Sequence, residues 1–304
     1  MKFSEIGASY PPEIPWLDRG LKQVRHIAWW IGRICITGKR PPALLVWPEM
    51  PSRRAALHKM VRTLNWEVTN RPRRHAIAGI RFADRTDKGL AFNPPASMDG
   101  IQWWNRNCND IRKSTLESAH QAAFGYGMEI DPLTYSGLMV EKSDENAQHD
   151  GRLIQGPLDS QELRENAVYQ VNIENVDSDG RHFDYRLMYL LGTFPIIYQK
   201  FKPAEARFTN LTDGVELLND HSCFTSKEFA SIAKLAALMG VDYAEFDVLR
   251  DRSSGKIYAV DINPTPWGPP AQLDSTASRT AIHRMAQALH QAVSVSSKKE
   301  RSAG

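Results

Sequence analysis

The sequence predicts an α/β protein: a small N-terminal α/β lobe over residues 1–104, a larger β-rich core over 105–292 and a disordered polar tail over 293–304. Three observations point there. A strand–helix–strand rhythm runs from Ala43 to Phe82. Short alternating runs between Tyr135 and Lys202 read as a series of strands. The stretch from Gly240 to Pro270 reads as a β-hairpin that gathers acidic side chains.

Residues 1–20 carry Pro11, Pro12 and Pro15 and form an irregular lead-in. Leu17 to Lys39 has apolar residues near helical spacing and a basic, Trp-bearing surface, which suits packing on its own domain or lying on a membrane. Ala43–Trp47 is an apolar strand, and Ser52 to Asn65 a helix with Ser52 as its cap. Trp66–Thr69 and Ala76–Phe82 are further strands. The basic cluster between them, Asn70 to His75, reads as a solvated loop or a grip for an anion. Residues 83–100 are a polar linker.

In the core, Ser114 to Phe124 is a helix and Gly137–Val140 a strand, with Lys142 after its end. A loop with three acids and one glycine, Asp144 to Gly151, leads to the strand Arg152–Gln155. Leu158 to Asn166 reads as a short helix capped by Asp159 or Ser160. Val168–Ile173 alternates as a strand. Phe183–Leu191 and Pro195–Lys202 form a hairpin across Gly192. Thr225 and Glu228 form a capping box for a helix that runs to Met239 and ends at Gly240. Thr276 to Val293 is a closing amphipathic helix.

The hairpin carries the strongest chemical signal. Folding Tyr243–Leu249 onto Lys256–Asn263 about Ser253–Ser254 sets Asp247 opposite position 260 or 261. Alternation then puts Asp261 and Asn263 on that same face. Three hard oxygen donors, with neither Cys nor His among them, suit magnesium or manganese. Solvated hairpin acids are the plain alternative, but both acids lie in apolar strands, where unpaired charge is costly.

Composition narrows the classes. The chain has 304 residues, 42% apolar and 24% charged, with a net charge of +3. That balance gives no electrostatic footprint for nucleic acid. Three scattered cysteines make neither a disulfide framework nor a zinc site and fit a reducing cytoplasm. No apolar run is long enough for a membrane span. Self-association is left open.

Asp247, a short turn, then Asp261-x-Asn263 followed by Pro266 resembles the C-terminal metal signature of the ATP-grasp superfamily, in which the second acid is more often Glu. The C-terminal half is similar to the ribosomal-protein glutamate-adding ligases and the D-alanine–D-alanine ligases. Asp184-x-Arg186 and Ala206-Arg207-Phe208-Thr209-Asn210 resemble segments of the former group. The resemblance implies an ATP-grasp core of two lobes, in reduced form because only 28 residues separate Lys113 from Lys142. It implies ATP with Mg2+ or Mn2+ at Asp247, Asp261 and Asn263. Lys113 and Lys142 are placed on the phosphates. Gln170 and the backbone at Val171 read the base, and Asn146 and His149 are hydrogen-bond donors in the loop. Arg186, Lys200 and Arg207 are placed on the transferring phosphoryl group. The implied reaction joins a carboxylate to an amine. A phosphotransferase, or a nucleotide-binding module without turnover, is the alternative, the latter suggested by the acidic, Gly-poor loop.

Overall fold

A computed structural model describes residues 40–83, 92–145, 150–203 and 212–302, together with Ala28, Ile31, Gly32, Cys35, Gly38 and Gln148. Most of the expected N-terminal helix, and Arg207, Asn146 and His149, lie outside the described residues.

The N-terminal part is a parallel sheet. Strand β1 (Ala43–Pro48) is flanked by β2 (Glu67–Thr69) and β3 (Ala76–Phe82), with the two-residue β4 (Trp103–Trp104) outside β3. β1 is buried through most of its length, as its unbroken apolar run demands of a central parallel strand. Helix α1 (Ala56–Thr63) connects β1 to β2. It starts later than the sequence suggested, and Ser52 does not cap it. Instead the Ala56 amide donates to the Pro266 carbonyl, 2.9 Å away. The cap is supplied across more than 200 residues, so no local pattern announces it. In the basic loop, Arg73 and His75 pair with Glu67.

Helix α2 (Lys113–Phe124) leads to a three-stranded antiparallel sheet, β5 (Gly137–Ser143), β6 (Arg152–Gly156) and β7 (Ala167–Val171), in the order β6-β5-β7. Two sequence expectations are corrected here. Lys142 lies inside β5, paired with Val168, because the strand continues through Glu141, Lys142 and Ser143. Residues 158–166 form turns and no helix. Their hydrogen bonds go elsewhere: Leu158 N donates to Pro132 O, Asp159 N to the Glu162 carboxylate, and Arg164 N to the Tyr169 hydroxyl.

The largest sheet is five-stranded, order β10-β9-β8-β11-β12, with β8 (His182–Leu190), β9 (Thr193–Lys202), β10 (Gly214–Leu217), β11 (Tyr243–Arg250) and β12 (Ile257–Asn263). Helix α3 (Ser226–Leu238) precedes β11 and carries the expected Thr225–Glu228 capping box. Gly240 ends it with φ +66°, and a Cβ there would fall 2.5 Å from the Asn107 carbonyl, so the turn admits no side chain. Helix α4 (Ser275–Ser302) closes the chain. It continues past Val293, through Lys298 to Arg301, where the sequence reading ended the order. Those residues are good helix formers that extend a helix already nucleated.

One face of the five-stranded sheet (Leu187, Ile197, Phe246, Val248, Ile262) packs under α2 and α3. The other face changes character along its length. Met188, Leu190, Ile196, Tyr198 and Tyr243 pack against α1, α4 and the N-terminal sheet. Further along the same strands this face carries Asp184, Arg186, Lys200, Glu245, Asp247 and Asp261. Strand alternation makes both halves of that face, and the change from apolar to charged marks where a cleft opens. Among the described residues no helix is long and apolar enough to cross a membrane.

Candidate functional site: a charged cleft between two antiparallel sheets

A cleft with about 1020 Å³ of empty space lies between the three-stranded sheet and the charged half of the large sheet. Lys113, Lys142, Gln170, Val171, Asp247 and Asp261 all line it. Six residues singled out from sequence, on α2, β5, β7, β11 and β12, thus meet around one space. Gln170 is buried on β7, opposite Val140.

Asp247 and Asp261 are direct partners in the β11–β12 register, one of the two pairings that the hairpin sequence predicts. Burial and the neighbouring Asp247 carboxylate push Asp261 up to about 6. Two acids side by side on neighbouring strands of one cleft wall, each repelling the other's charge, form a donor set that a divalent cation would relieve. Asn263 stands apart. It does not line the cleft, and its side-chain oxygen accepts from Thr265 N at 2.9 Å and Thr265 Oγ1 at 3.2 Å. Among the described residues no three His, Cys, Asp or Glu side chains converge as a metal site. The cation-fitting set is therefore the facing pair Asp247 and Asp261, with Asn263 engaged in its own turn.

Arg186 lies beside this pair, opposite Asp247 in the register of β8 with β11. Its Nη1 meets Glu245 at 3.0 Å, its Nη2 meets Asp247 at 2.9 Å, and its Nε is 3.7 Å from Asp184. Burial works against its charge, but the three carboxylates outweigh that and hold it protonated. Glu245 is pushed up to about 7, first by burial and then by Asp247, with Arg186 pulling the other way. Asp184 is raised by burial and by Asp247. Lys200 sits opposite Asp184, and burial, helped by Arg186, lowers it to about 8.

Sequence reading singled out neither Glu245 nor Asp184 as a site residue. Both were findable: Glu245 is two residues before Asp247 and Asp184 two before Arg186, so each shares its partner's face. Lys202, 3.7 Å from Asp184, and Asp150 also line the cleft.

The loop after β5 proves less hostile to anions than its composition suggests. The Asp144 carboxylate accepts from Ser114 N at 2.8 Å and Ser114 Oγ at 2.9 Å, capping α2. Asp150 accepts from Ser143 N at 3.1 Å and pairs with Arg164. Glu145 accepts from Gln148 Nε2 at 3.1 Å, so all three acids are engaged by partners. Lys113 donates to the Glu145 carbonyl. Burial lowers its affinity for a proton, while Asp261 and the loop acids support its charge.

The fold recurs in solved structures. D-alanine–D-alanine ligase from Bacillus anthracis complexed with ATP matches with a TM-score of 0.51 and 13% identity, over 86% of this chain and 99% of that one. The fold is ATP-grasp. The ATP-grasp ligase PsnB, complexed with minimal precursor, matches at TM-score 0.50 and 11% identity, over 82% of this chain and 100% of that chain. VanG D-Ala:D-Ser ligase from Enterococcus faecalis matches at 0.51 and 8%, over 82% and 100%. No protein family and no curated protein matches the sequence. In this ATP-grasp fold the charged cleft lies between the three-stranded and five-stranded sheets.

Proposed function

We propose that the chain is an ATP-dependent ligase that activates a carboxylate as an acyl phosphate for attack by an amine. The observation that carries this reading is the charge layout of the cleft. Two lysines from α2 and β5 face the pair Asp247 and Asp261, with Arg186 held beside it. That is what a triphosphate with a divalent cation requires: fixed positive charge for the phosphates and hard oxygens for the metal.

Lys113 and Lys142 hold phosphate oxygens. Gln170 and the backbone at Val171 receive the base. Asp247 and Asp261 are the residues that hold magnesium, with Asn263 joining them only by leaving Thr265. Bound magnesium supplies charge neutralisation on the phosphates. Glu245 and Asp247 fix the Arg186 guanidinium, which stabilises charge on the transferring group, and Lys200 and Arg207 add to that charge.

In the first step a substrate carboxylate oxygen bonds to the γ-phosphorus as the bond to the β,γ-bridging oxygen breaks, and ADP leaves. In the second, the amine nitrogen bonds to the acyl carbon, the carbon–oxygen bond to phosphate breaks, and the nitrogen gives up a proton. No enzyme nucleophile is required, and positioning supplies much of the rate.

The binding-module alternative drew its support from the acidic loop. Asp144 and Asp150, turned onto Ser114, Ser143 and Arg164, weaken that support. Calorimetric titration with a non-hydrolysable ATP analogue, with and without magnesium, tests the reading. Magnesium-dependent binding, lost in Asp261→Asn, is expected. Binding absent under both conditions, or unchanged in Asp261→Asn, refutes the assignment of the site.

A further inference from the structure

The segment that leads into β1 turns an apolar helix face to solvent. Ala28, Ile31, Gly32 and Cys35 are helical. Ala28, Ile31 and Cys35 are spaced three and four apart, so they share one face. All three are exposed, Ile31 over 57% of its surface. We propose that this face lies on an anionic lipid surface and attaches the protein to it.

A helix that packs on its own domain buries its apolar stripe, as α1 does with Leu57, Met60 and Val61 at the same kind of spacing. Ile31 does the opposite. In the sequence, Leu17, Leu21 and Val24 continue the spacing of Ala28, Ile31 and Cys35. Trp29 and Trp30 carry rings that favour the membrane–water interface. Between Leu17 and Arg40 there are six basic residues and one acid, Asp18, an excess larger than the net +3 of the whole chain. An apolar stripe flanked by this much positive charge lies in the interface and does not span the bilayer.

The edge of the fold that receives this segment is also basic. Ala43 of β1 pairs with Glu67 of β2 and Ala76 of β3, so the three strand starts lie side by side. Arg40 precedes β1, Arg74 precedes β3, and both are exposed. Glu67, the acid at this edge, is occupied by Arg73 and His75. Positive charge beside an apolar helix face complements anionic headgroups over hydrocarbon. A second copy of the same face is a poorer partner, because it brings like charges together. The cleft is built by α2 and the strands of the two antiparallel sheets, so attachment and nucleotide binding are separable.

The test is flotation of the full chain with vesicles of equal parts phosphatidylcholine and phosphatidylglycerol, against vesicles of phosphatidylcholine alone. Binding to the anionic vesicles is expected to be tighter by about tenfold or more and to weaken as salt is raised. Each basic residue at an anionic surface contributes about fivefold, so Arg40→Gln combined with Arg74→Gln should weaken that binding about 20-fold. Ile31→Glu should weaken it by about tenfold or more. Because Ile31 is exposed, the unfolding temperature of Ile31→Glu in solution should stay at the wild-type value. Binding of the ATP analogue should be unchanged in all these variants. Failure to float, or equal flotation with the neutral vesicles, overturns the proposal. So does a lowered unfolding temperature in Ile31→Glu, which would mean that the face packs on its own domain. A wild-type dimer in sedimentation that Ile31→Glu dissociates would assign the face to a second copy and overturn it as well.

Discussion

Replacing Arg186 by Gln tests the centre of the charged face. The substitution keeps a polar side chain but removes the cation that Glu245, Asp247 and Asp184 share. Glu245 is 3% and Asp184 6% exposed, so water cannot compensate them. Removing one partner of a buried ion pair costs about 3–5 kcal/mol. With an unfolding entropy of about 2.1 cal/mol/K per residue, that lowers the unfolding temperature by about 5–8 °C. The pH dependence has a definite sign. Without Arg186 the Glu245 and Asp184 carboxyls are raised further above their unfolded values. Stability in the variant is then greatest at low pH, where they are protonated, and falls as pH rises through their folded values. The deficit against wild type should therefore be larger at pH 8 than at pH 5, measured by thermal denaturation at both. Arg186 is proposed to act on the transferring group and is not among the residues proposed to hold the nucleotide. The variant should bind the ATP analogue within a few-fold of wild type while losing about a hundredfold or more in turnover. A variant as stable as wild type at pH 8, or with no pH-dependent deficit, would refute the view that Arg186 holds the acids together.

Three other outcomes follow from particular contacts. Asn105→Ala removes three buried hydrogen bonds to Asp242 and Tyr243 at a position with φ +56°, and should cost about 3–5 kcal/mol in chemical denaturation. Burial pushes Asp251 up, but the Ser253 and Ser254 hydroxyls and the Ser254 and Glu174 amides outweigh it and hold the acid near 2. Its stabilisation is present above about pH 4 and is lost as pH falls through 2. Asp251→Asn should accordingly cost about 2 kcal/mol at pH 7 and close to nothing at pH 2. Gly79→Ala drives a methyl group into the Trp103 ring and should cost about 1–3 kcal/mol in chemical denaturation.

The hairpin was legible because its pairing is local. A turn at Asp251–Gly255 sets the register, and the register sets Asp247 against Asp261. The capping box at Thr225 was legible for the same reason, since both of its partners lie within one turn. What could not be read is set at long range. The start of α1 is fixed by Pro266, and the acidity of the 144–150 loop is tempered by Ser114 and Arg164. The two-residue β4 is too short to carry a period of its own, yet it places Trp103 over Gly79. Residues 158–166 have a helix-like composition, but their amides find partners in Pro132, Glu162 and Tyr169.

The charged half of the large sheet joins fold and chemistry. The strands that build it also contribute Tyr243, Met188 and Tyr198 to the core against α1 and α4. Glu245 lies at the boundary, two residues from Tyr243 and two from Asp247, with its carboxylate on Arg186. A side chain there cannot be altered without touching both the packing that joins the sheets and the placement of Arg186. If Glu245 serves only packing, Glu245→Gln, which keeps its shape, should leave turnover intact. If it positions Arg186, the same variant should lower kcat while leaving KM for ATP near the wild-type value, because the residues proposed to hold the nucleotide are untouched. The buried contact between Glu245 and Arg186 argues for the second outcome, and a variant with unchanged kcat would decide for the first.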